Sequence, residues 1–500
     1  VDLERYRSII PEWPSFLEAS SRAEPTVFRV RTGRIAPDAL ADRLRAQGYR
    51  LRALEGMPAF FQVEDAPRPV SLTLEHWLGL IYVQQGSTGV AAPALAPRSG
   101  ERVLDLCAAP GGKTTHAADL MDDRGCLVAA DISEGRLRGL LGNVYRLGHT
   151  GVFVVSGDGR DFPGGALFDR VLVDAPCSGE GTLRRRGGRP PEQSASFGRY
   201  VTRAQGALLR RAVRLTRPGG TILYVTCTFA PEENEGVVSD VLAEEPVELE
   251  PLSLPVPHAP GLTAFEGRRF DPRLEGAARI YPHHLDSGGL FLARLRRLDG
   301  GGPHGPGGGG GTSGADAGTW SPVPPVFPGD GMGTAEAETL VARALEALDQ
   351  RFGVGADAFG GRRWTARGGR LWLHSLAEWP LEAWEPGRWR PLSAGFRAVE
   401  FDTRGRARPT NDLLQWLGGA VGRGTVDLDT AELLALLDGG SVEREEEPYG
   451  PLALRWSGTV VGRGVATPAG VGSEVPRPRA ADLRSVVSGE GPVTPTPDDD

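Results

Sequence analysis

The chain has 500 residues, 40% of them apolar and 24% charged, with a formal net charge of −8. That length exceeds what one hydrophobic core serves, so two or three folded domains are predicted. No stretch approaches the roughly 20 apolar residues of a membrane span, and the opening Val1-Asp-Leu-Glu-Arg5 lacks an apolar signal core. A cytoplasmic protein is expected, with Val1 in place of methionine leaving its true start open. Residues 1–300 carry 37 basic and 37 acidic side chains and residues 301–500 carry 19 and 27, so a polyanion would have to meet local arginine clusters, not a basic field over the whole molecule. The four cysteines, at 107, 126, 177 and 227, form no Cys-x-x-Cys pair and have no nearby histidine. This argues against a zinc site, any other metal and a disulfide framework, and fits free thiols in a reducing compartment.

In chain order, residues 3–19 mix prolines with apolar positions and predict one or two short helices. Thr26–Arg31 reads as a strand, Pro37-Asp38 opens a helix reaching Gln47-Gly48, and Tyr49–Leu54 returns as a strand. A small α+β module over 1–95 follows. From Arg102 the pattern becomes apolar runs alternating with helical stretches: Arg102–Leu106, Cys126–Ala130, Val152–Val155, Arg170–Val173 and Thr221–Thr226. Such βα alternation predicts an α/β domain over 96–298 with a parallel sheet covered on both faces. Residues 299–319, with a five-glycine run, are expected to be a linker. A separate α+β, strand-rich domain is predicted over 320–486, with helices at Glu336–Gln350 and Asp429–Leu437 and a strand at Leu452–Trp456, and 487–500 is expected to be a disordered tail.

Lys113 is the only lysine among 56 basic residues, and it follows Cys107-Ala108-Ala109-Pro110-Gly111-Gly112. A compact ammonium at a glycine turn points to a site that a guanidinium fork would not fit. In an open α/β sheet, ligands bind beyond the carboxyl ends of the strands. Asp105 ends the first strand there; Asp131 closes the next, 20 residues past Gly111, where an acceptor for a ribose hydroxyl is expected. Asp158 follows the third strand and Asp174 ends the fourth, so four carboxylates on one rim suit a nucleoside-bearing cofactor. A phosphate-binding NTPase loop would need glycine where Cys107 stands, and Pro110 removes an amide that would cradle phosphate.

Cys177, in Asp174-Ala-Pro-Cys-Ser-Gly179, and Cys227, in Thr226-Cys-Thr228, fall on the same rim. Two strand-end thiols fit methylation of cytosine at carbon 5. That carbon becomes nucleophilic only after a thiolate adds to carbon 6, and a base must later remove the carbon 5 proton. Asp174 is placed to act as the acid at ring nitrogen 3, and Lys113 to lower a neighbouring thiol pKa. Spacing alone leaves the nucleophile open between Cys177 and Cys227. Cys126 reads as a buried small hydrophobe, and the Cys107 thiol reads the same way. An exocyclic-amine methyltransferase would need an aromatic residue where Cys177 stands.

These motifs, with Glu232-Glu-Asn-Glu-Gly-Val-Val238, Tyr82-Val-Gln84 and Arg279-Ile-Tyr-Pro-His283, resemble the Sun-type family of S-adenosylmethionine-dependent RNA cytosine-C5 methyltransferases, over about Tyr6 to Arg297. The resemblance implies a Rossmann-like class I methyltransferase sheet. It also implies that residues 107–113, Asp131, Asp158 and Asp174 bind S-adenosylmethionine, that Cys227 attacks, and that Cys177 assists product release. Three positions depart from the usual pattern: Thr228 stands where serine is commoner, Gln84-Gln85 where the second residue is usually acidic, and Asp286-Ser-Gly-Gly289 where Asp-Gly is frequent. The segment from Trp320 resembles the C-terminal extension of the members acting on bacterial 16S ribosomal RNA, ending in a module similar to the PUA kind. The resemblance implies action on RNA, with small-subunit ribosomal RNA or the assembled subunit the expected substrate and transfer RNA the alternative; a monomer is expected. A non-catalytic RNA-binding assembly factor is the remaining alternative. Arg184, Arg185, Arg186 and Arg189 are expected to grip phosphates beside a splayed-out base.

Overall fold

The computed structural model describes residues 3–164, 167–187, 194–299, 320–380, 389–444 and 449–489. Helix α1 (Trp13–Ser21) precedes a four-stranded antiparallel sheet made of β1 (Val27–Val30), β2 (Arg50–Leu54), β3 (Met57–Asp65) and β4 (Ile81–Val83), in the order β2-β3-β1-β4. Helix α2 (Pro37–Ala46) lies between β1 and β2, and buries Leu40, Ala41 and Leu44 against Phe28 and Phe61 of that sheet. Proline at its first position costs no hydrogen bond, because that N–H has no partner within the helix. Short helices α3 (Leu74–Trp77) and α4 (Ala91–Leu95) lead on to the central domain. The segment before β1 does not pack with this module: Tyr6, Ile10 and Phe16 are buried in the central core with Leu183, Phe229 and Tyr281.

The central domain runs β5 (Arg102–Asp105), α5 (Gly112–Leu120), β6 (Cys126–Asp131), α6 (Glu134–Leu147), β7 (Val152–Ser156), β8 (Phe168–Asp174), α7 (Ala195–Leu215), β9 (Thr216–Thr226) and α8 (Glu235–Glu244). It ends with β10 (Val247–Glu250), β11 (Ala259–Pro260), the hairpin β12 (Ala264–Phe265) and β13 (Arg268–Arg269), β14 (Ala278–Ile280) and β15 (Leu290–Arg297). The sheet order is β11-β14-β15-β9-β8-β5-β6-β7, parallel from β9 to β7 and antiparallel at β14 and β15. All five parallel strands predicted from the apolar runs are present. The chain moves outward from β5 through β6 to β7, then crosses to β8 on the other side of β5. Their carboxyl ends therefore flank the crevice where strand order reverses.

The C-terminal part is less separate than expected. Arg390–Ala394 pairs antiparallel with β7 and extends the central sheet by one strand, with a bulge between Pro391 and Ser393. Beyond it, a four-stranded sheet spans residues 363–409 and a five-stranded sheet spans 425–473. Trp77 of α3 reaches this last sheet, its indole N–H donating to the Val461 carbonyl at 2.9 Å with Arg479 over the ring. The helices predicted from Glu336 and Asp429 are found at Thr334–Phe352 and Thr430–Leu437, the latter capped by the Asp429 carboxylate. A final helix runs through Ser488, two residues past the expected domain end. The glycine-rich linker beyond Asp299 and the tail from 490 lie outside the described residues. Among the described residues, no helix is long and apolar enough to cross a membrane.

Candidate functional site

The loop after β5 begins with Asp105, which is 2% exposed. Its carboxylate accepts from Thr114 Oγ1 at 2.7 Å and from the Cys107 amide at 3.3 Å, which closes the loop onto the first turn of α5. Burial pushes its pKa up to about 7 against the Thr114 hydrogen bond, and the negative charge of Asp174 adds to the rise. Gly111 sits at φ 109°, where an L side chain is strained, and an added Cβ would lie 2.8 Å from Leu140. The Cys107 thiol is driven well up by burial and by the surrounding aspartates, so it is an inert neighbour of the loop. Cys126 is buried at the start of β6, away from the rim.

Asp131 ends β6, its oxygens accepting from the Ala109 amide at 3.1 Å and the Ser133 amide at 2.9 Å. It thus ties the loop to the start of α6. Asp158, two residues beyond β7, is clasped by the Arg160 guanidinium, and this hydrogen bonding holds its pKa down. Lys113 Nζ donates to Asp174 Oδ2 at 2.7 Å. Burial works against the ammonium, yet Asp174, Cys227 and Asp105 together outweigh it and raise the Lys113 pKa. The lysine stays charged beside the thiols.

Cys177 Sγ and Cys227 Sγ are 3.2 Å apart, and the Cys227 amide donates to Cys177 Sγ at 3.3 Å. Their surroundings move the two thiols in opposite directions. Hydrogen bonding from Cys177 lowers the Cys227 pKa, burial and Asp174 oppose this, and Lys113 supports it. The same contact, with burial, drives Cys177 well up. The balance of these effects favours the proton on Cys177 and the thiolate on Cys227.

Buried carboxylates not assigned from the sequence hold both thiol loops. Glu233 accepts from the Ser178 amide and from Gln205 Nε2, each at 2.9 Å, while Gln205 also donates to the Pro176 carbonyl at 2.9 Å. Glu180 accepts from the Tyr6 hydroxyl at 2.8 Å and from Thr228 Oγ1 at 3.2 Å; burial raises its pKa despite these bonds. Gly181 lies between the loops, donating to the Cys227 carbonyl at 2.8 Å and accepting from the Gly289 amide at 2.9 Å. A Cβ there would meet both the Cys227 and Gly289 carbonyl oxygens at under 3 Å.

Two departures from the family pattern meet on one side chain. Glu24 accepts from Gln85 Nε2 at 2.8 Å, from Ser287 Oγ at 3.0 Å and from the Gly288 amide at 2.9 Å. The amide at 85 and the extra polar residue at 287 thus share a carboxylate brought in by the N-terminal segment. Thr228 keeps the hydroxyl role, contacting Ser178 Oγ and Glu180.

The expected phosphate grip by Arg184 is corrected. Arg184 is 4% exposed, and its guanidinium donates to the Arg22 and Ala23 carbonyls and to Asp286. Those acceptors use up its fork in joining the Cys177 loop to the N-terminal segment. Arg185 is exposed, with Glu24 at 3.5 Å. The side chain of Arg186 and all of Arg189 lie outside the described residues.

The raised Asp105 pKa gives a pH expectation. A carboxyl whose folded pKa exceeds its unfolded value stabilises the fold below the unfolded value, and that contribution is lost as pH rises through the folded one. The gap between 3.8 and about 7 corresponds to about 4 kcal/mol lost between pH 4 and 8. Asp105→Asn should therefore raise the apparent Tm more at pH 8 than at pH 5, as read by thermal unfolding at both.

A family described as 16S rRNA methyltransferase RsmB/F matches residues 92–296. A mouse protein named 28S rRNA (cytosine-C(5))-methyltransferase is 35% identical over 297 residues, 58% of this chain and 37% of its own length. Ribosomal RNA small subunit methyltransferase F of Erwinia tasmaniensis is 34% identical over 309 residues, 59% of this chain and 63% of its own. The chain thus spans between 37% and 63% of the length of these two curated relatives. A crystal structure of a methyltransferase homolog protein from Pyrococcus horikoshii superposes with a TM-score of 0.54 at 33% identity, covering 59% of this chain and 94% of that one. The matched region holds the glycine turn, the rim carboxylates and both thiols, and the chain belongs to the RsmB/F family of methyltransferases.

Proposed function

We propose that the chain transfers a methyl group from S-adenosylmethionine to carbon 5 of a cytosine in RNA, with Cys227 as the nucleophile. The observation that carries this reading is the pair of sulfurs 3.2 Å apart beside the Lys113–Asp174 ion pair at the strand-order reversal, surroundings that lower the Cys227 pKa and raise that of Cys177. The donor set suits this cofactor: rim carboxylates are acceptors for ribose hydroxyls and complement a sulfonium charge, while Ala108, Ala109 and Gly111 keep the loop low enough for close packing. The bound cofactor supplies an electrophilic methyl group. Asp131, Asp158 and the 107–113 loop would hold it.

Cys227 adds through sulfur to carbon 6, and the Lys113–Asp174 pair lends a proton at nitrogen 3, so that carbon 5 gains enamine character and takes the methyl group. Loss of the carbon 5 proton to a base then expels the Cys227 sulfur, and nitrogen 3 returns its proton. Cys177, which keeps its proton next to the departing sulfur, stabilises the thiolate as it leaves. Glu180 and Glu233 keep the two loops in register throughout.

The substrate reading is small-subunit ribosomal RNA. It is supported by the family description and by the Erwinia relative's name, whereas the mouse relative is named for large-subunit ribosomal RNA. Transfer RNA is the alternative. Incubating the full chain with labelled cofactor and intact small subunits, naked 16S ribosomal RNA or transfer RNA tests this. Label in 5-methylcytosine of the ribosomal substrate is expected. Label only in transfer RNA would reassign the substrate, and label in none of these would overturn both the small-subunit and the transfer RNA readings.

A further inference from the structure

With Arg184 committed internally, helix α7 offers a further basic surface on the rim. β8 and β9 are parallel, so the intervening helix descends from the carboxyl ends of the strands to their amino ends. Its amino-terminal half is therefore at the rim, beside the thiols. Gln205 fixes it there through its bonds to the Pro176 carbonyl and Glu233, so the helix and the Cys177 loop form one rigid unit.

On the outward side, Arg199, Arg203, Arg210 and Arg214 are spaced 4, 7 and 4 residues apart and form one helical stripe. The stripe divides in two. Arg210 pairs with Glu244 at 2.6 Å and Arg214 lies 3.6 Å from Glu245, so α8 neutralises the half remote from the rim. Arg199 and Arg203 are exposed and make no ion pair among the described residues. Tyr200, 61% exposed, lies one turn before Arg203 on the same side of the helix, while Phe197, 40% exposed, is turned away from Arg199. Arg160, which clasps Asp158, also interacts electrostatically with Tyr200, linking this surface to the edge of the cofactor crevice. A groove of about 820 Å³ runs from Arg199 and Arg203 to Ser178, the residue after Cys177; it also carries Glu180, Glu232, Glu233 and Asp240, with Arg5 paired to Glu232 and Arg268 to Asp240, so the basic charge left without an ion pair among the described residues lies on α7.

We propose that the amino-terminal half of α7 is the platform for the single-stranded RNA flanking the target cytosine. Tyr200 offers a ring face to a flanking base, and Arg199 and Arg203 contact the phosphates beside it. Aromatic rings and unpaired guanidinium groups are how proteins hold single strands without reading sequence. Being anchored to the Cys177 loop, the platform sets how far the flanking strand lies from the sulfurs. This inference rests on the RNA methyltransferase reading above.

The test is the affinity of the full chain for a short unstructured RNA oligonucleotide with one central cytosine, measured by fluorescence anisotropy over a range of salt. It is run for wild type, Tyr200→Ala and the double variant Arg199→Ala/Arg203→Ala. Both changes fall on exposed side chains, and cofactor binding by calorimetry checks that each variant is folded. Tyr200→Ala is expected to weaken RNA binding about 10-fold with the salt slope unchanged. The arginine pair is expected to lower the slope of log affinity against log salt by about 1.4, from two lost phosphate contacts on a single strand. If wild type methylates the RNA and neither variant changes affinity or slope, the platform is overturned while the methyltransferase reading stands. If wild type neither binds nor methylates RNA, both fall.

Discussion

Cys227→Ala should abolish methyl transfer, with a loss on the order of 10⁴-fold or more and no covalent RNA complex, because no other sulfur at the site is held as a thiolate. Cys177→Ala should behave differently: RNA is expected to accumulate bound to the protein through Cys227, in a complex that survives denaturing electrophoresis. The difference follows from the 3.2 Å contact between the sulfurs. Cys177 supplies the hydrogen bond that most lowers the Cys227 pKa; with it gone, burial and Asp174 are countered chiefly by Lys113. A Cys227 that is a poorer thiolate is also a poorer leaving group, so the adduct persists. The pH at which Cys227 becomes reactive toward iodoacetamide should therefore move upward in Cys177→Ala, measured as alkylation rate against pH. A trapped complex in Cys227→Ala instead would exchange the two roles.

The second large effect is on stability. Glu235 and Arg279 form an ion pair with side chains 0% and 2% exposed, in which Arg279 Nε donates to Glu235 at 2.7 Å and Nη1 donates to the Phe229 carbonyl at 3.0 Å. The pair fastens β14 to α8 and to the segment just after Cys227. Removing one partner leaves a guanidinium with its charge uncompensated and no water to receive it, so Glu235→Ala is expected to cost about 3–5 kcal/mol in denaturant unfolding. The double change Glu235→Leu/Arg279→Met should cost less than the single one, because no charge is then stranded. Removing Glu248 from its exposed contact with Arg296 should leave the midpoint where it is. Equal losses at 235 and 248 would show that burial is not what makes the inner pair matter.

Much of the site was legible because three of the five parallel strands announce themselves twice, as an apolar run and as the carboxylate that ends it: Asp105, Asp131 and Asp174 all close strands. The antiparallel edge was less visible. In β15, Arg294 and Arg296 alternate with Ala293 and Leu295, and the arginines obscure a strand whose apolar face lies against the core. The strand Arg390–Ala394 contains Pro391 and no apolar alternation; it joins the sheet through main-chain bonds to β7, which leave no mark in the side chains. Arg184 was misread for a related reason. A basic run looks solvated in one dimension, and only the folded chain brings the carbonyls of Arg22 and Ala23 to it. Glu24 is the clearest case of a residue invisible in sequence, since its partners Gln85 and Ser287 are 61 and 263 positions away.

The account turns on which sulfur bonds to the pyrimidine. Substituting 5-fluorocytidine for cytidine in the substrate RNA blocks loss of the group at carbon 5, so the attacking sulfur stays attached after methyl transfer. Digestion and mass spectrometry then locate the bond. The adduct is expected on Cys227, and only when the cofactor is present. An adduct on Cys177, or full methylation of ordinary RNA with no adduct on the fluorinated one, would contradict the mechanism.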